Sequence, residues 1–381
     1  MGLGQTFAPE RRDYRDPQTG ARITQLTNWR GHSNHFYFTT TSFVAGQQQI
    51  VFVSDRNNQT NLFLLDLQTG RIRQLTQARH QIAPTQSCLN PRRREVYYFD
   101  GKSLCATDLD SLQRRELYRL SDDRRPGILT PSADGTLLAF AEIKEIGWHT
   151  GPQYQGFADF FRARPPTNIR VVQTDGARNW VALELGCWVS HVNFSPKHRD
   201  VICYCHEGPW DLVEQRMWIC TIDGSKNYPL RPQDEHDAVG HEYWLADGEH
   251  VAFHNFRYRS TRGREGAEHR FGWIRWDNSD HHEFVFAAGS THFQSNSDNS
   301  LVVGDGYAAT NPYILLWQVQ ADRGRQRRLA RHDCSFHIQR AHCHPIFSPD
   351  DRYVLYTSDH TGYCNLYLAE VGSEQREPAQ A

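Results

Sequence analysis

The sequence predicts an all-β fold, a seven-bladed β-propeller, and three observations carry that prediction. A strand–turn–strand unit recurs along the chain. The composition favours strands over helices. The segment that would complete the last repeat stands at the opposite end of the chain. A length of 381 residues suits one large all-β domain, because such folds often stay undivided at this size. The expectation is a single propeller domain over residues 1–381.

Each unit reads as an apolar strand, a turn of Ser, Asn, Asp, Pro or Gly, a second strand, a polar loop, a third strand ending in Asp, and a final strand. Copies stand at "IVFVSDRNNQTNLFLLDLQTGRIRQLT" (50–76), "EVYYFDGKSLCATDLDSLQRRELYRL" (95–120) and "LLAFAEI" with "NIRVVQTDGARNWVAL" (137–183). Others follow at 201–230, 250–286 and 301–329. Most are spaced as propeller blades are, at roughly 40–50 residues. The third is longer, through a loop-like aromatic insert at 144–167, and the fifth carries a basic loop at 257–270 that reads as a solvated turn.

The last copy, "YVLYTSDHTGYCNLYLAEV" (353–371), lacks a fourth strand. The segment "ARITQLT" (21–27) copies "GRIRQLT" (70–76) and is predicted to supply it. The ring would then close on itself, with no sheet edge exposed to pairing.

Composition narrows the function classes. Aromatics are 12% and methionines only 2, a profile of strands rather than helical bundles. A net charge of −2 removes the electrostatic case for general nucleic-acid binding. Nine cysteines without a CxxC pair read as reduced thiols. The opening "MGLGQTFAPERRDYRDP" has no apolar signal region, and no apolar run would span a bilayer. A cytoplasmic protein with neither membrane nor nucleic acid as partner is expected.

Histidines mark the candidate site. His191, His241, His292 and His344 each stand ten residues before a valine of the next strand: Val201, Val251, Val302 and Val354. Four successive blades would thus place histidine at the start of the channel-lining strand. The second and third units have Gln86 and Pro126, or its neighbours, there instead, and His35 in "HSNHFYF" stands in a similar place at longer spacing. The last blade adds His342, two residues from His344 and so on the same strand face.

Clustered imidazoles in a concave mouth make a candidate site. His292, His342 and His344 can supply three nitrogens, and Gln339 an amide oxygen. Imidazole suits Zn, Fe, Ni, Cu and Mn alike, while the amide oxygen leans towards a harder ion such as Mn²⁺. Four neutral ligands leave the double charge intact, so such a centre can polarise a carboxylate.

With "YRDPQTGARITQLT" (14–27), "HSNHFYF" (32–38), "HEGPWDLVEQRMW" (206–218), "HEYWLADG" (241–248), "HFQSNSDNSLVVGDG" (292–306) and "QRAHCHPIFSP" (339–349), the chain resembles the oligogalacturonate lyase family almost end to end. These are cytoplasmic seven-bladed propellers of pectin breakdown. The resemblance implies β-elimination on short oligogalacturonides, including the unsaturated dimer, with Mn²⁺. It implies His292, Gln339, His342 and His344 as metal ligands, His241 as the base and Arg216 as the substrate-side arginine. His35, His191, Arg216 and Arg340 are the candidate substrate contacts. Two alternatives stand beside it: the same machinery acting on another uronate oligosaccharide, or a non-catalytic propeller of the TolB or WD-repeat kind that binds a protein partner.

Overall fold

The computed structural model describes residues 2–46, 48–147, 151, 154–260, 266–286, 289–320 and 323–372. Its strands form seven antiparallel sheets, one for each blade of a seven-bladed β-propeller. By contact density the chain divides into two compact units, residues 1–84 with 287–381, and residues 85–286.

The first unit holds three sheets. Sheet 1 orders Thr6–Phe7, Ile72–Gln74, Asn61–Asp66, Gln49–Ser54 and Ser33–Asn34. Sheet 6 runs Phe293–Ser295, Leu301–Gly304, Tyr313–Gln320 and Arg323–Arg331. Sheet 7 orders Arg12–Arg15, Arg22–Gln25, Asn365–Glu370, Tyr353–Ser358 and Ile346–Phe347. The closing strand predicted from the copied "RITQ" is therefore present, with Ile23 opposite Ala369 and Gln25 opposite Tyr367. The chain start adds more than expected: a fifth strand on sheet 7 and another on sheet 1.

The second unit holds four sheets. They start at Ser87–Leu89, Arg124–Pro131, Val189–Phe194 and Asp237–Trp244 and end at Arg114–Arg119, Asn179–Leu185, Asn227–Pro229 and His282–Val285. The insert after Lys144 carries a short helix, Phe157–Ala163, whose Phe157 and Phe160 rings pack edge-on against Trp188. Residues 148–150 and 152–153 of that insert, and 261–265 of the basic loop, lie outside the described residues.

The repeat's residues have local reasons. Middle strands such as "IVFV" in 50–53 and "LFLL" in 62–65 are buried on both faces, which a continuous apolar run permits and an alternating one would not. An Asp at the end of a strand folds the next turn. Asp66 Oδ1 accepts the backbone N–H groups of Gln68 and Thr69, and Gly70 closes the turn at φ 71°. Asp16 does the same for Gln18 and Thr19, with Gly20 at φ 74°.

Ile23 is buried in the closing ladder, opposite Ala369. Its replacement by Ala should lower unfolding free energy by roughly 2–5 kcal/mol, as for other large-to-small core changes, measured by denaturant titration. Deleting residues up to Thr27 should leave the Asn365–Glu370 edge unpaired and convert the protein to aggregate on size exclusion.

Candidate metal centre and a buried charge cluster

A shared turn sets where the histidines stand. The backbone N–H of Ser195, Leu245, Asn296 and Ser348 each donates across its turn, to the carbonyls of Val201, His250, Leu301 and Tyr353. Four residues before each of these lies His191, His241, His292 or His344. The common position is therefore real in the backbone. Matching turns at Asn90 and Ser132 put Gln86 and Ile128 there in sheets 2 and 3, so among Pro126 and its neighbours the position falls to Ile128. In sheet 1 the turn at Val44 puts Thr40 there, and His35 falls outside the register.

The backbone is bent at these histidines. Pairing skips between Val189 and Val192 and between Gly240 and Tyr243, bulges that enclose His191 and His241. His241 and His344 adopt φ of 52° and 45°, a region that costs non-glycine residues on the order of 1 kcal/mol or more and tends to occur at functional sites.

In the first unit, His292, His342 and His344 come together with ligand atoms within 4.8 Å of one another. His292 is fixed by Asp305, which sequence reasoning missed. Asp305 Oδ2 stands 2.6 Å from His292 Nδ1, and Oδ1 accepts from the Thr291 and His292 N–H groups and from the Ser290 and Thr291 hydroxyls. A proton held at Nδ1 turns the Nε2 lone pair outward as the ligand atom.

Burial lowers the pKa of both His342 and His344, and for His344 the neighbouring His292 and His342 add to the effect. Neutral imidazoles keep their lone pairs for an ion. Among the described residues, buried His342 Nδ1 has no hydrogen-bond partner, a costly arrangement that a bound cation would relieve. Gln339 stands in a short 3₁₀ turn with its amide nitrogen 3.3 Å from His344 Nε2. Rotating the amide presents its oxygen to the same point. The residues fit a divalent ion.

Tyr37 and Phe38 wall this group, with ring centroids 4.9 Å and 6.3 Å from that of His344. They too were missed, although they lie in the quoted "HSNHFYF". His35 is buried with Nδ1 at 2.6 Å from the Phe36 carbonyl and Nε2 at 3.1 Å from the Cys343 carbonyl. Burial lowers its pKa to about 4. As a neutral ring it has one N–H to donate to either carbonyl, and neither nitrogen faces outward as the expected sugar contact would. Arg340 is exposed, 3.9 Å from Asp55, and stays open to an anion.

The other candidates lie in the second unit. His241 is half-buried against Trp210, edge to face at 4.7 Å between centroids. Gly240 makes that packing possible, since a Cβ there would come within 2.2 Å of the indole. Arg216 is 1% exposed and lies between two carboxylates, with Nε 2.9 Å from Glu242 and Nη1 2.8 Å from Glu207. His191 joins them, its Nδ1 2.9 Å from Glu242. Neither Glu207 nor Glu242 was read from the sequence. Their signal is their place, each following a histidine in "HEGPW" and "HEYW". The expected open guanidinium is instead charge-compensated, and His191 is drawn to Glu242 rather than left exposed.

Comparison with known proteins follows the same lines. Residues 1–374 match the family described as oligogalacturonate lyase. The chain is 26% identical to the oligogalacturonate lyase of Dickeya dadantii (strain 3937), over 97% of this chain and 98% of that one. It is 27% identical to an oligogalacturonide lyase of Pectobacterium atrosepticum, covering 94% and 95%. Among solved structures it is similar to an oligogalacturonate lyase in complex with manganese, with a TM-score of 0.89 at 28% identity and coverage of 97% and 98%. A second, the oligogalacturonate lyase of Vibrio parahaemolyticus, gives 0.88 at 26% identity, covering 98% and 100%.

Asp305 offers a direct test of the metal group. Asp305→Asn keeps the shape but removes the charge that orients and polarises His292. Divalent-ion affinity should fall about 10–100-fold, the usual effect of losing such a support, as read by Mn²⁺ titration under electron paramagnetic resonance. Unchanged affinity would show that His292 does not bind through this arrangement.

Proposed function

The chain belongs to the oligogalacturonate lyase family and is a lyase acting on pectin fragments; from that premise we propose that it cleaves short oligogalacturonides, saturated or unsaturated digalacturonate above all, by metal-dependent β-elimination. The observation that carries this reading is the group of His292, His342 and His344, with ligand atoms within 4.8 Å of one another. The manganese complex of a similar lyase favours Mn²⁺ as the ion, with another divalent ion as the lesser choice.

The chemistry explains why such residues are needed. The C5 hydrogen of a uronate lies α to a carboxylate and is weakly acidic, because the carbanion needs stabilisation. A divalent ion held by His292, His342, His344 and Gln339 supplies Lewis-acid stabilisation of that developing charge. His241 takes the C5 proton as general base. The electron pair left behind forms the C4–C5 double bond, and the C4 oxygen departs with the leaving sugar. Trp210 restricts the His241 ring to one orientation against its face. Arg216 and Arg340 are the proposed contacts to the acidic sugar.

Compartment and substrate length belong to the same proposal. All nine cysteines are free, which suits a reducing cytoplasm. No helix among the described residues is long and apolar enough to cross a membrane. An enzyme working there would meet imported fragments rather than polymer.

His344→Ala should lose ion and activity together, while circular dichroism reports an intact fold. Elemental analysis that finds no metal in active wild-type protein would overturn the metal reading. His241→Ala should keep its ion and lose at least about 10²-fold in kcat, the lower range for removal of a general base. The assay is the ultraviolet absorbance of the new conjugated double bond. Digalacturonate and trigalacturonate should react faster than polygalacturonate; the reverse order would contradict the proposed substrate length.

A further inference from the structure

The second unit buries two carboxylates, Glu207 and Glu242, that the elimination chemistry leaves unused. Glu207, Arg216 and Glu242 are 8%, 1% and 0% exposed. Arg216 takes one oxygen from each carboxylate, Oε2 of Glu242 and Oε1 of Glu207. The second oxygens turn towards His191, Glu242 Oε1 at 2.9 Å from Nδ1 and Glu207 Oε2 at 3.8 Å from Nε2. Ser190 donates its hydroxyl to Glu207 Oε2, and Cys205 Sγ stands 3.8 Å from that oxygen. His191, Cys205 and Glu242 have the donor types of a metal site. Arg216 already brings a cation to both carboxylates, so a second ion there would meet a like charge.

Burial alone would raise the pKa of Glu207 and Glu242, yet the Arg216 cation and His191 hold both below the usual carboxylate range. Two carboxylates therefore face one guanidinium, whose charge is more than cancelled. Among the described residues, Nε and Nη1 carry the side chain's hydrogen bonds and Nη2 carries none. A free guanidinium accepts an anion along any of its edges. This one has its Nε edge closed and offers its Nη2 end, with both N–H groups there.

We infer that Glu207 and Glu242 are positioning residues, which fix Arg216 in one orientation and offset its charge, so that it recognises the sugar through its directed Nη2 end rather than by net attraction. This inference rests on Arg216 being a substrate contact, as proposed above. It gives the pair a role in specificity. A clamped donor selects one geometry of the reacting sugar, whereas an unclamped cation would hold the acidic substrate in several unproductive poses. Charge gained without orientation strengthens ground-state binding and does nothing for the transition state.

The test uses the full chain loaded with Mn²⁺ and digalacturonate as substrate, with kcat and KM measured at low and high salt. Glu207→Gln and Glu242→Gln keep the side-chain size and remove one of the two negative charges that oppose an acidic sugar at Arg216. Each should lower KM on the order of five-fold, an effect that salt abolishes, and lower kcat at least about ten-fold through lost orientation. Glu207→Asp and Glu242→Asp keep the charge and should keep the wild-type KM. Gln variants that melt earlier but retain both constants would overturn the inference, because a purely structural ion pair behaves that way. Asp variants that tighten binding as the Gln variants do would also overturn it. Arg216→Ala separates the two levels: unchanged constants would remove Arg216 from the substrate altogether. Impaired constants in that variant, with unaltered Gln variants, would remove only the positioning role.

Discussion

The metal group depends on a ladder formed by the two ends of the chain. Ile23, Thr24 and Gln25 pair with Ala369, Leu368 and Tyr367, and the chain leaving that ladder stays attached to the C-terminal sheet. Leu26 donates to the Leu366 carbonyl, Thr27 bonds Asn365, and Ser33 donates to the Cys364 carbonyl. Asn34 then reaches the Arg340 carbonyl and His35 the Cys343 carbonyl. Five residues further along the ligand loop from Gln339 stands His344. The N-terminal segment thus closes sheet 7 and holds the loop that carries three of the four candidate ligands. The C-terminal sheet holds the same loop from its other side, since Thr357 N–H donates to the Cys343 carbonyl and Cys364 Sγ to the Arg340 carbonyl.

Much of this was legible because the blade repeats chemically as well as in length. The Asp–x–x–Thr–Gly turn, the continuous apolar middle strands and the copied "RITQ" each have a local cause that a sequence displays. The histidine register was legible for the same reason, since a fixed turn meters the distance back along the inner strand. Legibility ended where position depends on a neighbouring strand. Asp305 lies just beyond Leu301–Gly304, and only the pairing of Phe293 with Gly304 brings it to His292. Glu207 and Glu242 belong to different sheets, so their meeting at Arg216 could not be read from spacing. In the third unit the sequence marked only the neighbourhood of Pro126, and the turn at Ser132 narrows it to Ile128.

The two groups of buried side chains manage charge in opposite ways. The ligand group presents neutral nitrogens and keeps its one carboxylate, Asp305, behind His292. An ion there would face outward with most of its charge unspent, as the polarisation of a substrate carboxylate requires. The Arg216 cluster places its carboxylates directly on the cation and leaves little net charge. Neither group can be explained by stability alone, because buried ion pairs seldom improve on apolar packing of similar volume.

That contrast bears on how an acidic sugar would be handled. A site that met a dianion with two uncompensated cations would bind it tightly and in many orientations, and tight ground-state binding opposes turnover. On the proposed reading, an arginine whose charge is offset by Glu207 and Glu242 would avoid that outcome. The strained backbone at His241 and His344 fits the same logic. In both, a left-handed φ swings the imidazole out of the alternation that an ordinary strand would impose, and packing by Trp210 or by Tyr37 and Phe38 keeps it there. The orientation of each ring is therefore set before any ligand arrives, and the free energy for it comes from folding rather than from binding.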